Sequence, residues 1–233
     1  MFKSCLRHFY FNMERRFDLV LFDMDGTLID NRIAVEENVN YALNKFGFES
    51  VPGPKIDAQI GKFLPDIFKA FIPTEKWNLA DDLSSAYRER YATTSDSGLS
   101  ILDGVEEALG DLREMEITAG VVTNKLEGAV ALLKKIGLFE NFKIIISPTK
   151  ELRPKPYPDM ILHALELTNV PAGRAAYVGD TSIDIASARN AKVSSIAVMT
   201  GAEIGIVNLR ELIEAKPDFT IPNLSGLSKI LSK

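Results

Sequence analysis

The sequence contains few cysteines and few histidines. Its 233 residues include one cysteine, Cys5, and two histidines, His8 and His163. A single thiol excludes a disulfide within the chain and a zinc site made of several thiolates, and we assign neither histidine to a catalytic triad or a zinc site. No apolar run approaches the roughly 20 residues that a membrane-spanning helix needs. These absences favour a protein of the reducing cytoplasm that has no membrane partner.

Positive charge is not in excess either. Lys and Arg number 27 against 32 Asp and Glu, which gives a net charge of −5. This balance does not indicate a nucleic-acid-binding surface, so an anionic ligand would need a local basic pocket. The first sixteen residues, "MFKSCLRHFYFNMERR", lack the apolar stretch of a signal peptide, and we interpret residues 1–16 as an N-terminal extension.

Short apolar runs rich in Val and Ile predict five strands. They lie at residues 18–23, 118–123, 143–147, 175–180 and 194–199. The runs are continuous and do not alternate with polar residues, which is typical of strands that are covered on both faces. Helix-patterned segments separate them. The alternation predicts an α/β fold with a Rossmann-like, three-layer core and a mostly parallel sheet.

One long segment interrupts this alternation. Residues 31–97 contain helical patterns, such as "AVEENVNYALNKFGF" and "KIDAQIGKFLPDIFKAF", but no convincing strand. So much chain between adjacent strands indicates an inserted helical domain and not a loop. We therefore assign residues 17–30 and 98–233 to the core domain.

Acidic side chains follow the predicted strands. The stretch "LFDMDGTLID" carries Asp23 and Asp25 at the end of the first strand, and Thr123 and Asp180 end two others. Because the carboxyl ends of parallel strands meet at one edge of a sheet, these residues are expected to converge there. Asp184, four residues after Asp180, can face the same edge from the first turn of the next helix.

Carboxylates this close repel each other, so the cluster needs positive charge. A hard divalent cation with oxygen ligands, most plausibly Mg²⁺, would supply it together with Lys155 of "RPKPYPD". With these cations in place, Asp23 can attack phosphorus as a nucleophile. Asp25 can protonate the departing oxygen and later accept a proton from water.

Four segments, taken in order, resemble the motifs of the haloacid dehalogenase superfamily, in particular its phosphoglycolate phosphatase-like branch. They are "DMDGTLID", "VVTN", "RPKPYPD" and "VGDTSIDIASARNA", and the likeness runs from about Phe17 onward. The resemblance implies a Rossmann-like core with a helical cap, dependence on Mg²⁺, and hydrolysis of a phosphomonoester through a phospho-aspartate. One departure is Lys192, which stands where the family usually has glycine.

The resemblance also implies residue roles. Asp23 would be the nucleophile and a metal ligand, and Asp25 would be the acid/base, with its backbone carbonyl on the metal. Thr123 and Lys155 would hold the phosphoryl group. Asp180 would bind Mg²⁺, and Asp184 would orient its waters or bind it directly.

The substrate is less sharply indicated. A small phosphorylated metabolite is expected, with 2-phosphoglycolate favoured and pyrophosphate, a nucleoside monophosphate or a sugar phosphate as alternatives. The resemblance to the superfamily implies that the second aspartate, Asp25, disfavours dehalogenation, since the dehalogenases lack it. It also implies that the run Thr123, Asn124, Lys125 disfavours a β-phosphoglucomutase-like phosphotransferase. We assign substrate contacts to Asn124 and Lys62, and Lys125 and Arg90 are further candidates. A monomer and a homodimer both stay open.

Two other readings have less support. Asp25-Gly26 is also a hairpin signal, but no partner strand follows it. A non-catalytic binding protein on the same fold would be expected to have lost at least one of the four motifs, and all four are present.

Overall fold

The structure is a computed structural model that describes residues 15–125, 128–203 and 209–232. Most of the predicted N-terminal extension, residues 1–14, therefore lies outside the described residues. Its last two residues pair with the other end of the chain. Arg15 forms a β-bridge with Ser232, and the Arg16 amide donates to the Leu231 carbonyl oxygen at 2.7 Å.

Six strands form one parallel sheet, in which every paired neighbour runs the same way. In chain order, the strands are β1 (Leu19–Phe22), β4 (Thr118–Val122), β5 (Ile144–Ile146), β6 (Ala175–Gly179), β7 (Ser194–Val198) and β8 (Phe219–Ile221). Their spatial order is β5-β4-β1-β6-β7-β8. The five predicted strands are confirmed, and β8 is an additional edge strand.

The β1 strand shows why the fold has three layers. Leu19 and Leu21 pack on one face of the sheet with α7 (Asp159–Thr168) and α8 (Ser182–Ala191). Val20 and Phe22 belong to the cluster on the opposite face, with α5 (Val105–Glu114) and α6 (Ala129–Lys135). All four side chains are buried. Burying one such side chain stabilises the fold by about 1.5–3 kcal/mol, which explains the uninterrupted apolar run.

A second, two-stranded antiparallel sheet joins β2 (Ile29–Asp30) to β3 (Ser100–Ile101). The chain reaches β2 through a tight turn in which Gly26 has φ +78° and its amide donates to the Ile29 carbonyl oxygen. The Asp25-Gly26 turn therefore leads to a strand whose partner is about 70 residues away in sequence. A local hairpin does not form.

Every regular element that the structure describes between residues 31 and 97 is helical. The helices are α1 (Arg32–Lys45), α2 (Gly53–Asp57), α3 (Leu64–Lys69) and α4 (Ala80–Thr94), with a 3₁₀ turn at Thr74–Leu79. The predicted helical stretch 55–71 is split in two, since Gly61 adopts φ +89°. The Phe68 and Tyr87 rings pack edge to face, which joins α3 to α4. The limits of this helical insertion as a separate domain stay a prediction.

Three short helices complete the described fold: α9 (Thr200–Glu203), α10 (Leu209–Glu214) and α11 (Ser228–Leu231). Among the described residues, none of the helices is both long and apolar enough to cross a membrane. The α8 helix ends at Lys192, the family's usual glycine position. Lys192 adopts the left-handed conformation itself, with φ +60° and ψ +31°, and its amide donates to the carbonyl oxygens of the last turn.

Candidate active site

Three adjacent strands place polar side chains at one edge of the parallel sheet. Asp23, Thr123 and Asp180 each follow the last residue of a strand, β1, β4 and β6 respectively, and these strands are neighbours. All three side chains are buried. Asp184 joins them from the first turn of α8. Asp23, Asp180 and Asp184 each offer a carboxylate oxygen within 4.8 Å of the others, so the predicted convergence is observed.

Lys155 lies between two of these carboxylates. Its Nζ is 2.8 Å from Asp23 Oδ1 and 2.6 Å from Asp184 Oδ1, and the side chain is almost completely buried. Burial by itself lowers the pKa of Lys155, but the Asp184 and Asp23 carboxylates outweigh it and raise the pKa above its ordinary value. The ammonium therefore stays charged and compensates part of the acidic cluster.

Asp184 has a protein partner for each oxygen. Its Oδ2 accepts from the Thr181 amide at 3.0 Å and from the Thr181 hydroxyl at 2.6 Å, as part of a capping box at the start of α8. Its Oδ1 accepts from Lys155 and lies 3.1 Å from the Tyr177 hydroxyl. This carboxylate is held rigidly and is fully satisfied by the protein.

Other carboxylate oxygens have no such partner. Asp23 Oδ2, Asp25 Oδ1 and Asp180 Oδ2 are buried and accept no hydrogen bond from the described residues. Burial raises the pKa of Asp23 to about 7, although Lys155 opposes the shift. Burial and then the Asp184 charge raise the pKa of Asp180 well above its usual range. An unpaired buried carboxylate is costly, so the cluster has room for further positive charge.

Two glycines lie close against the unpartnered oxygen of Asp180. A Cβ atom on Gly26 would lie 2.2 Å from Asp180 Oδ2, and one on Gly201 would lie 2.0 Å away. The other oxygen, Oδ1, accepts from the Thr27 hydroxyl at 2.9 Å. A small, hard divalent cation with oxygen ligands fits this donor set. The unpartnered oxygens of Asp23 and Asp180 are the atoms that would hold it.

Asp25 is held by a different lysine. Lys125 Nζ lies 3.2 Å from Asp25 Oδ2 and 3.3 Å from the Tyr91 hydroxyl, and it sits 4.7 Å from the centre of the Tyr91 ring. Burial lowers the pKa of Lys125, but the Asp25 carboxylate contributes to a net rise well above the ordinary value. Tyr91 on α4 also accepts from Asn31 at 3.0 Å. The sequence suggested Lys125 as a substrate contact, and the structure pairs it with Asp25.

Two further predicted site residues form hydrogen bonds within the protein. Asn124 donates to the carbonyl oxygen of Gly61 in the helical insertion at 3.0 Å, and its Oδ1 accepts from the Lys155 amide at 2.7 Å. It therefore ties the insertion to the Lys155 segment. Thr123 Oγ1 accepts from the Lys125 amide at 3.2 Å. No acceptor for its hydroxyl proton is found in the described part of the chain.

A cavity of about 260 Å³ opens between these side chains and the helical insertion. Asp23, Asp25, Thr123 and Asn124 line its sheet side. Apolar and aromatic side chains of the insertion line the other side: Val35, Ile60, Leu64, Ile67, Tyr87 and Tyr91.

The cations near this cavity differ from those that the sequence suggested. Lys62 lines it with an exposed ammonium that donates to Gln59 Oε1 at 2.7 Å, and its predicted substrate contact stays a prediction. Arg90 does not line it, because its guanidinium lies 4.4 Å from the centre of the Tyr41 ring. Arg88, which sequence reasoning missed, does line it. A signal existed in the spacing, since Arg88 and Tyr91 are three residues apart and share one face of α4.

The chain is similar to known phosphatases over most of its length. The chain is 33% identical over 213 residues to a protein described as a candidate pyrophosphatase PpaX from Caldanaerobacter subterraneus subsp. tengcongensis, covering 91% of this chain and 93% of the relative. It is 30% identical over 214 residues to a phosphoglycolate phosphatase of Cupriavidus necator, covering 87% and 93%. A crystal structure described as a predicted phosphatase from Clostridium acetobutylicum superposes with a TM-score of 0.80 at 25% identity, covering 92% and 97%.

Membership of a family rests on the match to a family model. Residues 20–198 match the model of the haloacid dehalogenase-like hydrolases, which covers the acidic strand ends, both lysines and the helical insertion. The four motif segments lie within or at the edge of this range. The chain belongs to the haloacid dehalogenase-like hydrolases.

Proposed function

We propose that the chain is a magnesium-dependent phosphatase that hydrolyses a small phosphomonoester through an aspartyl-phosphate, with 2-phosphoglycolate as the favoured substrate. One observation carries the proposal. Asp23 and Asp180 lie close together with one buried, unpartnered oxygen each, Lys155 contacts Asp23, and Asp23 lines the cavity. Relatives named as phosphoglycolate phosphatase and pyrophosphatase support the same class of chemistry.

The metal would be held by Asp23 and Asp180, and the Asp25 backbone carbonyl is a third candidate ligand. When bound, Mg²⁺ would stabilise negative charge on the transferring phosphoryl group. Asp184, with both oxygens engaged by Lys155, Tyr177 and Thr181, is better suited to orienting groups around the site than to direct ligation.

Each of the remaining site residues has a proposed role in the two steps of the reaction. An oxygen of Asp23 forms a bond to phosphorus as the bond to the leaving oxygen breaks, and Asp25 gives that oxygen its proton. Water then attacks the phosphoryl group, and Asp25 takes the proton from the water. Phosphate is released and the free Asp23 carboxylate is restored. Lys155 and the Thr123 hydroxyl hold phosphoryl oxygens. Lys125 keeps Asp25 aimed into the cavity.

We further propose that the helical insertion, residues 31–97, acts as a cap. Its side chains form one wall of the cavity, and the Asn124–Gly61 hydrogen bond joins it to the sheet side. Such a wall excludes water from the reacting phosphoryl group and selects the leaving group. Location in the cytoplasm and a monomeric or homodimeric state stay predictions.

The direct test measures released phosphate from a panel that includes 2-phosphoglycolate, pyrophosphate, a nucleoside monophosphate and a sugar phosphate, with Mg²⁺ or with a chelator. We expect turnover that needs Mg²⁺ and falls at least ~10³-fold in Asp23→Asn. The control is Asp66→Asn, which removes an exposed carboxylate on α3. Retained Mg²⁺-dependent turnover in Asp23→Asn would refute the nucleophile, and clear preference for another panel member would retire 2-phosphoglycolate.

A further inference from the structure

The cations that line the cavity are not equivalent. Lys125 is paired with Asp25, and Lys62 donates to Gln59. Arg88 has neither a carboxylate within 4.0 Å nor a hydrogen-bond acceptor among the described residues, and its Nε is buried. It is the cation on the cavity wall that the described protein leaves without a partner.

An unsatisfied guanidinium in this place has an energetic cost. Arginine carries five N–H donors and stays charged at any pH at which the protein folds. A buried N–H donor without an acceptor destabilises the protein, and more so when the group is charged. The neighbouring cavity wall, formed by Tyr87, Tyr91 and Ile67, supplies no anion. A ligand that brings an anion into the cavity would remove this cost.

We propose that Arg88 is a specificity-determining residue that binds a second anionic group, carried by the leaving group of the substrate. The inference rests on the proposed phosphatase function, in which Asp23 and Lys155 engage the transferring phosphoryl group. The guanidinium would meet a carboxylate or a phosphate with two parallel N–H···O bonds. The apolar wall lowers the local dielectric and strengthens this attraction.

This assignment narrows the substrate class. A favoured substrate carries the phosphoryl group that is transferred at one end and a carboxylate or a second phosphate at the other. 2-Phosphoglycolate and pyrophosphate both meet this requirement, and neutral alkyl phosphates do not. The net charge of −5 repels doubly anionic ligands. A local cation in the cavity would offset this repulsion.

The experiment compares two esters that differ in one group. 2-Phosphoglycolate carries a carboxylate where ethyl phosphate has a methyl group, and the readout is the ratio of their kcat/KM values. We expect Arg88→Gln to lower this ratio about 10- to 100-fold. Arg88→Lys, which keeps the charge without the paired bonds, should lose less. Pyrophosphate as a third substrate shows whether the second group is better met as carboxylate or as phosphate.

Arg90→Gln is the matched control. Arg90 is on the same helix, but its guanidinium packs on Tyr41 outside the cavity, so the ratio should not change. Thermal unfolding of each variant checks folding, and Arg88→Met serves if Arg88→Gln is unstable. A ratio within twofold of wild type for all Arg88 variants, with both esters still hydrolysed, overturns the inference and leaves the phosphatase proposal intact.

A binding measurement covers the case in which neither ester is hydrolysed. Calorimetry with 2-phosphoglycolate compares Asp23→Asn with Asp23→Asn/Arg88→Gln in the presence of Mg²⁺. A Kd that weakens at least tenfold in the double variant supports the role of Arg88 even if the proposed function fails. Equal Kd values, or no binding to either, overturn it.

Discussion

The two walls of the cavity compensate their charges in opposite ways. On the sheet side, Lys155 is clamped between Asp23 and Asp184, and Asp184 is itself held by Thr181 and Tyr177. On the insertion side, the wall is mostly aromatic and aliphatic, and its arginine has no counter-ion in the described protein. One wall is a polar network with a few unpartnered oxygens, and the other is a mostly apolar surface on which Arg88 has no partner among the described residues.

Under the proposed function, the sheet side of the cavity carries out the reaction and the insertion side recognises the substrate. A satisfied, buried polar network fixes the orientation of each member, as transfer of a phosphoryl group requires. An apolar wall is non-directional and tolerates changes of size and shape. Two relatives with 33% and 30% identity to this chain are named for different substrates. A recognising wall that can change independently of the reacting wall would permit such divergence.

The largest effect that tests this division concerns Asp25, which stands where the two walls meet. Asp25→Asn removes the proposed proton donor but keeps the size of the side chain. We expect kcat/KM for ethyl phosphate to fall roughly 10²- to 10⁴-fold, because its leaving oxygen needs a proton. The kcat/KM for 4-nitrophenyl phosphate should fall much less, because nitrophenolate departs without a proton and the later attack of water does not enter kcat/KM. Steady-state kinetics with the two esters measures the difference.

Equal losses of kcat/KM on both esters would contradict protonation of the leaving group by Asp25. Lys125→Met offers the complementary control. It keeps the Asp25 carboxylate but removes its 3.2 Å partner and the contact with Tyr91. A loss for ethyl phosphate that is smaller than that of Asp25→Asn is expected.

A smaller effect, on thermal stability, tests whether the acidic cluster on the sheet side binds a divalent cation. Mg²⁺ at 100 times its Kd should stabilise the wild type by about 2.7 kcal/mol, which raises Tm by about 5–10 °C in a chain of this size. Asp180→Asn should reduce that rise, because it removes one of the open oxygens. Without metal it should raise Tm, since one buried carboxylate that faces like charges is gone.

Thermal unfolding with Mg²⁺ and with chelator gives both numbers. Asp184→Asn is the contrasting variant. Its carboxylate is satisfied by the protein, so the substitution should lower Tm in both conditions. A wild-type Tm that does not respond to Mg²⁺ would contradict the metal site.

The sheet wall was also the more predictable of the two. Continuous apolar runs indicated five of its strands, and the rule that parallel strands end at one edge brought Asp23, Thr123 and Asp180 together. The β8 strand escaped prediction because it has three residues and lies at the sheet edge, where Thr220 is exposed. The β2–β3 pair escaped because two residues carry no periodicity.

The insertion wall could not be predicted in the same way. Which face of α4 points into the cavity depends on how α1 and α3 pack against it, and this selects Arg88 and Tyr91 over Arg90. The position of Asn124 suggested a substrate contact, and only the tertiary structure shows its bonds to Gly61 and Lys155. The roles of the site residues stay predictions that the kinetics above would test.

The smallest predicted effect is a pH-dependent change in stability at Asp57 in the insertion. Unlike Asp23 and Asp184, this buried carboxyl group has no lysine partner among the described residues. Asp57 at the end of α2 is buried with one unpartnered oxygen, and burial followed by the Glu36 carboxylate raises its pKa to about 6. The folded state therefore holds its proton more tightly than the unfolded state, whose aspartate has a pKa near 3.8. As the pH rises from about 4 through about 6, the unfolded state releases this proton first, so the free energy of unfolding falls.

Asp57→Asn removes this penalty and should raise Tm by about 2–4 °C at pH 8 but hardly at pH 4, whereas Asp66→Asn on α3 should show no such difference. An equal gain at both pH values would mean that ionisation of Asp57 does not destabilise the folded insertion.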